Sequence, residues 1–125
     1  GIFPVKNIKT AELSKVLENT QRFVNIALIN EISVLCKKLS INTQEVLTAA
    51  STKWNFINFK PGLVGGHCIA VDPLYLLYKT NKYKFPNDII SSSQKINRYM
   101  PNFIINEISM ILTRSLLLCC IYRLI

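Results

Sequence analysis

Cys68 is the side chain of this sequence with the most chemistry open to it. It lies in the run Lys60-Pro61-Gly62-Leu63-Val64-Gly65-Gly66-His67-Cys68-Ile69-Ala70-Val71-Asp72-Pro73, which holds three of the four glycines and the single histidine. Glycine allows backbone to approach a ligand closely. Asp72-Pro73 reads as a helix start, with Asp72 as N-cap and Pro73 at the first helical position. A thiol one short step before a helix N-terminus sits where amides and dipole favour negative charge, so Cys68 is a candidate nucleophile. A second reading stays open on the same residues: a cysteine often packs as a small hydrophobe, and Asp72 then serves only as a cap.

Those side chains need elements to hold them, and 125 residues leave room for one modest domain. Half the residues are hydrophobic, which excludes a disordered chain. From Thr10, read as an N-cap with Glu12 in the first turn, to about Leu39 there is neither glycine nor proline. Leu13, Val16, Leu17, Thr20, Val24, Ala27, Leu28 and Leu35 recur there at steps of three and four, the pattern of one buried helical face. So long a helix exceeds what the core of a small domain covers, so part of it is expected to meet something outside the chain. Lys15 and Asn19, spaced i, i+4, share another face, continued by Arg22. Among apolar neighbours, Asn25, Asn30 and Glu31 suggest satisfied polar groups in a helix contact.

A second helix is expected from Asn42, with Glu45 completing a reciprocal cap, to Ser51-Thr52. Lys53 to Phe59 is an aromatic, asparagine-rich loop, where Trp54 is expected in the core. A third helix runs from Pro73 to about Asn81. A fourth starts at Pro86-Asn87-Asp88 and reaches about Arg98. Pro101 then kinks or restarts the pattern, and 102–125 read as a last helical segment ending almost uniformly apolar. No strand-like alternation appears, so the fold class is all-α: one long helix with three or four shorter ones.

The net charge is +8, but the lysines and arginines are scattered, without the basic run that marks nucleic-acid arms. Nucleic acid is not an expected partner. Cys36, Cys68, Cys119 and Cys120 show neither a secreted disulfide framework nor zinc spacing, so reduced thiols, a cytoplasmic location and no metal are expected. The longest clean apolar run near the C-terminus, Ser115 to Tyr122, is far below the ~18 residues of a membrane span. A start at Gly1 with no visible signal peptide suggests an excised or incomplete piece.

Two runs carry a resemblance. Pro4-Val5-Lys6-Asn7-Ile8-Lys9-Thr10-Ala11-Glu12, followed by Lys15-Val16-Leu17-Glu18-Asn19-Thr20-Gln21-Arg22, Asn25-Ile26-Ala27-Leu28 and Asn30-Glu31, resembles the central helical domain of the UDP-glucose/GDP-mannose dehydrogenase superfamily. Thr52-Lys53-Trp54-Asn55-Phe56 and Pro61 to Ile69, with Val71-Asp72-Pro73, is similar to the branch that oxidises UDP-N-acetylhexosamines. The likeness covers about residues 4–106.

The resemblance implies oxidation of a sugar C6 alcohol to the carboxylate with two NAD. It implies Cys68 as the nucleophile that takes the aldehyde through a thiohemiacetal to a thioester. It also implies Lys15 and Asn19 as donors to one oxyanion, and Asp72 as the group handling water or a proton. Phe56, Lys60, Gly65 and Gly66 fall in the loop that wraps the nucleotide sugar in relatives. His67 stands where glucose-type relatives carry another residue, and it is expected either to read the N-acetyl group or merely to fill the loop. The family pattern also has two Rossmann-type domains, and this chain carries no GxGxxG on a strand. Residues 1–100 therefore read as the central domain alone, and 101–125 as the start of a linker helix with a divergent apolar tail. By itself the piece is expected to bind no NAD and turn over no substrate. The expected partners are a UDP-sugar, and either a second copy through the long helix or a separate Rossmann partner. A non-catalytic dimerisation module or a truncated remnant is the alternative.

Overall fold

The computed structural model describes the backbone of residues 1–122 and the side chains of residues 1–115. Cys119 and Cys120 lie outside the described side chains. Four helices follow one another: α1 (Ile8–Lys38), α2 (Thr43–Ala50), α3 (Asp72–Lys82) and α4 (Asp88–Tyr122). There is no strand among the described residues. The all-α class expected from the periodicity is the class found, with two long helices in place of one.

α1 begins earlier than expected. Asn7, not Thr10, is its N-cap, and the Asn7 Oδ1 accepts the Thr10 N–H at 2.9 Å. Asparagine is as good a cap as threonine, and once it holds the Thr10 amide the helix starts one turn sooner. Glu12 then falls beyond the first turn. At 31 residues α1 is about 46 Å long. α2 starts after Asn42 as expected, with its Oδ1 taking the Gln44 and Glu45 amides. Asp72 does not cap α3. Val71 is the cap, without a side-chain bond, and Asp72 is the first helical residue. α4 runs on through Pro101, so the expected fourth and fifth segments are one helix of 35 residues.

α1 touches each of the other three helices, and α4 most extensively. The apolar core is small: Phe23, Ala27, Ile29 and Cys36 from α1, Leu47 from α2, Leu77 from α3 and Met100 from α4. Five buried polar residues join it, namely Asn19, Thr20, Asn30, Ser93 and Asn97. Thr20 and Ser93 satisfy themselves by bonding carbonyls one turn back, on Val16 and Ile89. The asparagines bond across the fold.

The expected apolar stripe of α1 is only partly buried. Thr20 and Ala27 are inside, whereas Leu13, Leu17, Leu28 and Leu35 are exposed. The face that packs is rotated toward Asn19, Phe23 and Asn30, because α3, α4 and the glycine loop supply polar partners there. Trp54, expected in the core, is 95% exposed on its loop.

Candidate functional site

Cys68 is exposed and Cys36 is buried, so the packed-hydrophobe reading belongs to Cys36. In a background where Cys119 and Cys120 are serine, iodoacetamide should label Cys68 at least ~100-fold faster than Cys36, because Cys36 waits for the helices to open. Peptide mapping of the labelled chain checks this.

The end of the glycine loop winds into α3 as a turn. The Cys68 carbonyl accepts the Val71 N–H at 3.2 Å and the Asp72 N–H at 2.9 Å. Cys68 and Asp72 thus sit one helical turn apart on a hydrogen-bonded scaffold. Asp72 in turn is fastened to α1: the Asn19 Nδ2 donates to its Oδ2 at 2.5 Å across 53 residues of sequence. Asn19 is completely buried and Asp72 half-buried. A hydrogen bond from a buried amide to a carboxylate is charge-assisted and makes a strong link between helices. It also explains why Asp72 caps nothing: its carboxylate is committed to α1.

The Asn19 amide is held from its other end as well. The Arg22 Nη2 donates to the Asn19 Oδ1 and, at 2.9 Å, to the Glu18 Oε1. With its oxygen occupied by a guanidinium, the amide presents its amino group to Asp72, and one of its two N–H donors is left over. The Arg22 Nε is buried with no hydrogen-bond partner among the described residues. Arg22, which the sequence alone left without a role, completes a chain running Glu18–Arg22–Asn19–Asp72. Its spacing of three from Asn19 is the signal that could have found it.

Lys15 does not join this cluster. Its ammonium pairs with the Glu18 Oε2 at 2.8 Å on an exposed part of α1. That hydrogen bond and charge, helped by Arg22, hold the Glu18 carboxyl below its ordinary pKa. A carboxyl depressed in the fold stabilises above its unfolded pKa, and that contribution fades as pH falls through the folded value. NMR titration should find the Glu18 midpoint low in the native chain, and Lys15→Ala should move it back up. The pair is exposed, so the effect on folding stability stays small.

The remaining loop residues are spread along an open ribbon. Phe56 is half-buried, and Lys60, Gly65, Gly66 and His67 are exposed. Gly66 has φ +83°, a conformation that side-chain-bearing residues rarely adopt. Open space surrounds the position of a Cβ at both Gly65 and Gly66, so no described residue packs against either. The larger grooves lie elsewhere. One of about 670 Å³ runs between α1 and the α3–α4 connection, lined by Leu17, Val24, Phe85 and Ile89 among others, and by none of the expected site residues. Among the described residues no cluster of three or more metal-ligating side chains occurs.

The central-domain model of the UDP-glucose/GDP-mannose dehydrogenase family matches residues 9–99. The chain belongs to this family. The match spans both the Lys15–Asn19 helix and the Cys68–Asp72 turn, the two runs that carried the resemblance. Protein CapL of Staphylococcus aureus is 51% identical over 108 residues, which are 86% of this chain and 26% of that protein. A UDP-N-acetyl-D-glucosamine 6-dehydrogenase of Pseudomonas aeruginosa is 46% identical over 108 residues, again 86% of this chain and 26% of the relative. Among solved structures, a UDP-D-ManNAc dehydrogenase from Pyrococcus horikoshii superposes with a TM-score of 0.76 at 37% identity, over 87% of this chain and 26% of that one. The chain therefore spans about a quarter of the length of the relatives it matches. As a member of a dehydrogenase family, it shares a helical core with proteins named for oxidising UDP-N-acetylhexosamines.

Proposed function

We propose that this domain contributes the covalent half of a UDP-N-acetylhexosamine 6-dehydrogenase, with Cys68 capturing the C6 aldehyde. The supporting observation is the Asn19–Asp72 bond, which brings a buried amide and a carboxylate from distant parts of the chain to the turn that bears an exposed thiol. The Cys68 sulfur, as thiolate, forms a bond to C6, and the carbonyl pair moves onto oxygen. Asn19 is completely buried, so its spare N–H would donate to that oxyanion only once the turn covering it shifts on substrate binding; removing such a donor typically costs 10²–10³-fold in rate. Lys15, one turn earlier on α1, would reach the same atom only after leaving Glu18. Once C6 stands at the thioester level, Asp72 is the base that takes the proton of the attacking water. Phe56, Lys60, Gly65 and Gly66 would line the nucleotide-sugar path, with Lys60 on the pyrophosphate, and His67 beside the N-acetyl group.

NAD is the hydride acceptor that the resemblance implies. The described residues do not fit it: the glycine run follows no strand and leads into a turn rather than directly into a helix, so it is not a dinucleotide cradle. Hydride transfer is assigned to none of them. Residues 1–100 form the central domain in this proposal, and the remainder of α4 is a connecting arm. No helix among the described residues is long and apolar enough to cross a membrane, and we place the chain in the cytoplasm. The test is NADH production from UDP-GlcNAc and NAD by the purified chain, with and without a dinucleotide-binding domain added in trans. No product is expected from the chain alone and product from the pair. No product from the pair would contradict a catalytic role.

The exposed Leu13, Leu17, Leu28 and Leu35 favour a second reading, in which α1 pairs with a second copy and the domain is a dimerisation module. Size exclusion of native chain against Leu28→Glu separates the two states.

A further inference from the structure

The loop from Ser51 to Val71 carries Cys68 and every residue proposed to line the nucleotide-sugar path, yet it has almost no regular structure of its own. The Ser51 and Thr52 hydroxyls tie its start to the Thr48 and Ala49 carbonyls of α2, and beyond them its side-chain links to the helix bundle, among the described residues, come from α1. At its far end the carboxylate of Asp72 is held by Asn19. In its middle, Asn30 clamps one residue on both sides: its Oδ1 accepts the Gly62 N–H at 2.8 Å, and its Nδ2 donates to the Gly62 carbonyl at 3.0 Å. The same Nδ2 donates to the Asn97 Oδ1 at 3.0 Å, and the Asn97 Nδ2 donates to the Phe23 carbonyl at 3.1 Å. Asn30 is completely buried and Asn97 nearly so.

Asn19 and Asn30 are eleven residues apart, three turns of helix, so both project from one face of α1, about 16 Å from each other. The stretch between their anchor points, Gly62 to Asp72, contains Gly65, Gly66, His67 and Cys68. An asparagine facing a backbone N–H and C=O together copies the pairing of a strand edge, which fixes both height and rotation of the peptide it grips. A buried polar group left unpaired is costly, so a network with every member satisfied holds one arrangement and penalises the rest.

We propose that Asn30, braced by Asn97, is the positioning residue of the Cys68 loop, and that it sets the stretch between Gly62 and Asp72 against α1 as Asn19 sets its other end. The proposal rests on the capture role given to Cys68 only for its purpose, since the clamp itself is testable without any sugar.

The experiment is amide hydrogen exchange of the whole chain followed by NMR. In the native protein the Gly62 amide should exchange about 10- to 100-fold more slowly than those of Gly65 and Gly66. Its amide resonance should shift in Asn30→Ala, and its exchange should speed up about 10- to 100-fold while amides in the middle of α1 and α4 keep their protection. Asn25→Ala is the control, because among the described residues the Asn25 side chain bonds only the Gln21 carbonyl of its own helix. It should leave Gly62 unchanged. If Asn30→Ala unfolds the chain, the native comparison decides alone. A Gly62 amide as fast as those of Gly65 and Gly66, or one untouched by Asn30→Ala in a folded chain, overturns the proposal. Protection of Cys68 from alkylation by UDP-GlcNAc is measured in the same samples. Its absence with the Gly62 clamp intact would strike at the sugar chemistry and leave the positioning role standing.

Discussion

Asn19→Asp should destabilise the domain by about 3 kcal/mol at neutral pH, and most of that loss should vanish in acid. The native Asn19 amino group donates to the Asp72 carboxylate at 2.5 Å inside a fully buried position. Exchanging that NH₂ for oxygen sets two carboxylates in contact. Arg22 neutralises the side of residue 19 facing it, and nothing else among the described contacts offsets the second charge. The pair then shares a proton, and one of its two macroscopic pKa values rises. A carboxyl whose pKa is higher in the folded state than in the unfolded chain costs nothing below the unfolded value of about 3.9. The penalty grows above that pH and is complete once the folded value is passed. Urea unfolding of Asn19→Asp at pH 4 and pH 7 should therefore differ strongly. Asn19→Ala, which removes the donor without adding charge, should lose about 1–3 kcal/mol with little recovery in acid. Equal losses for Asn19→Asp at both pH values would mean that the amide and the carboxylate do not face one another.

Cys68→Ala should stop carboxylate formation in the assembled enzyme by a factor on the order of 10⁴ or more, as loss of a covalent nucleophile does. Folding should be unaffected, because Cys68 is exposed and contributes to its surroundings through its backbone carbonyl, which alanine keeps. The product expected from the variant is the aldehyde, which leaves the site because no sulfur retains it. Quantifying aldehyde and uronate by mass spectrometry, alongside circular dichroism of the variant, separates lost chemistry from lost structure. Full uronate production by a folded Cys68→Ala chain would remove the thiol from the mechanism.

The helical class was readable because a 3.6 period over a run without glycine or proline admits little else. The cap of α1 was misplaced because Asn7 and Thr10 are both able caps three residues apart, and only the fold decides which oxygen meets which amide. Leucines 13, 17, 28 and 35 looked like a core face by period, but a period fixes which residues share a side and not which side is covered. The buried side was chosen by asparagines, whose value depends on partners 32 to 74 residues away. The Asn19–Asp72 proximity followed in the sequence only from resemblance, since neither residue signals the other. Arg22 lay within reach of a spacing argument; Asn97 did not, because nothing near it marks a polar residue as buried. Pro101 looked like a break, and α4 passes through it because its packing against α1 outweighs the lost N–H and the ring's clash with the carbonyl four residues back, together about 3 kcal/mol.

Capture at Cys68 is tested most directly by a UDP-linked chloroketone, with the reactive carbon where C6 of the sugar would stand. Its rate of alkylating Cys68 in the intact chain is compared with that of a simple chloroketone lacking UDP. The expected result is a single adduct on Cys68, formed at least ~10-fold faster with the UDP-linked reagent, saturating with its concentration and slowed by UDP-GlcNAc. Equal rates for the two reagents, or adducts scattered over the other cysteines, would contradict it.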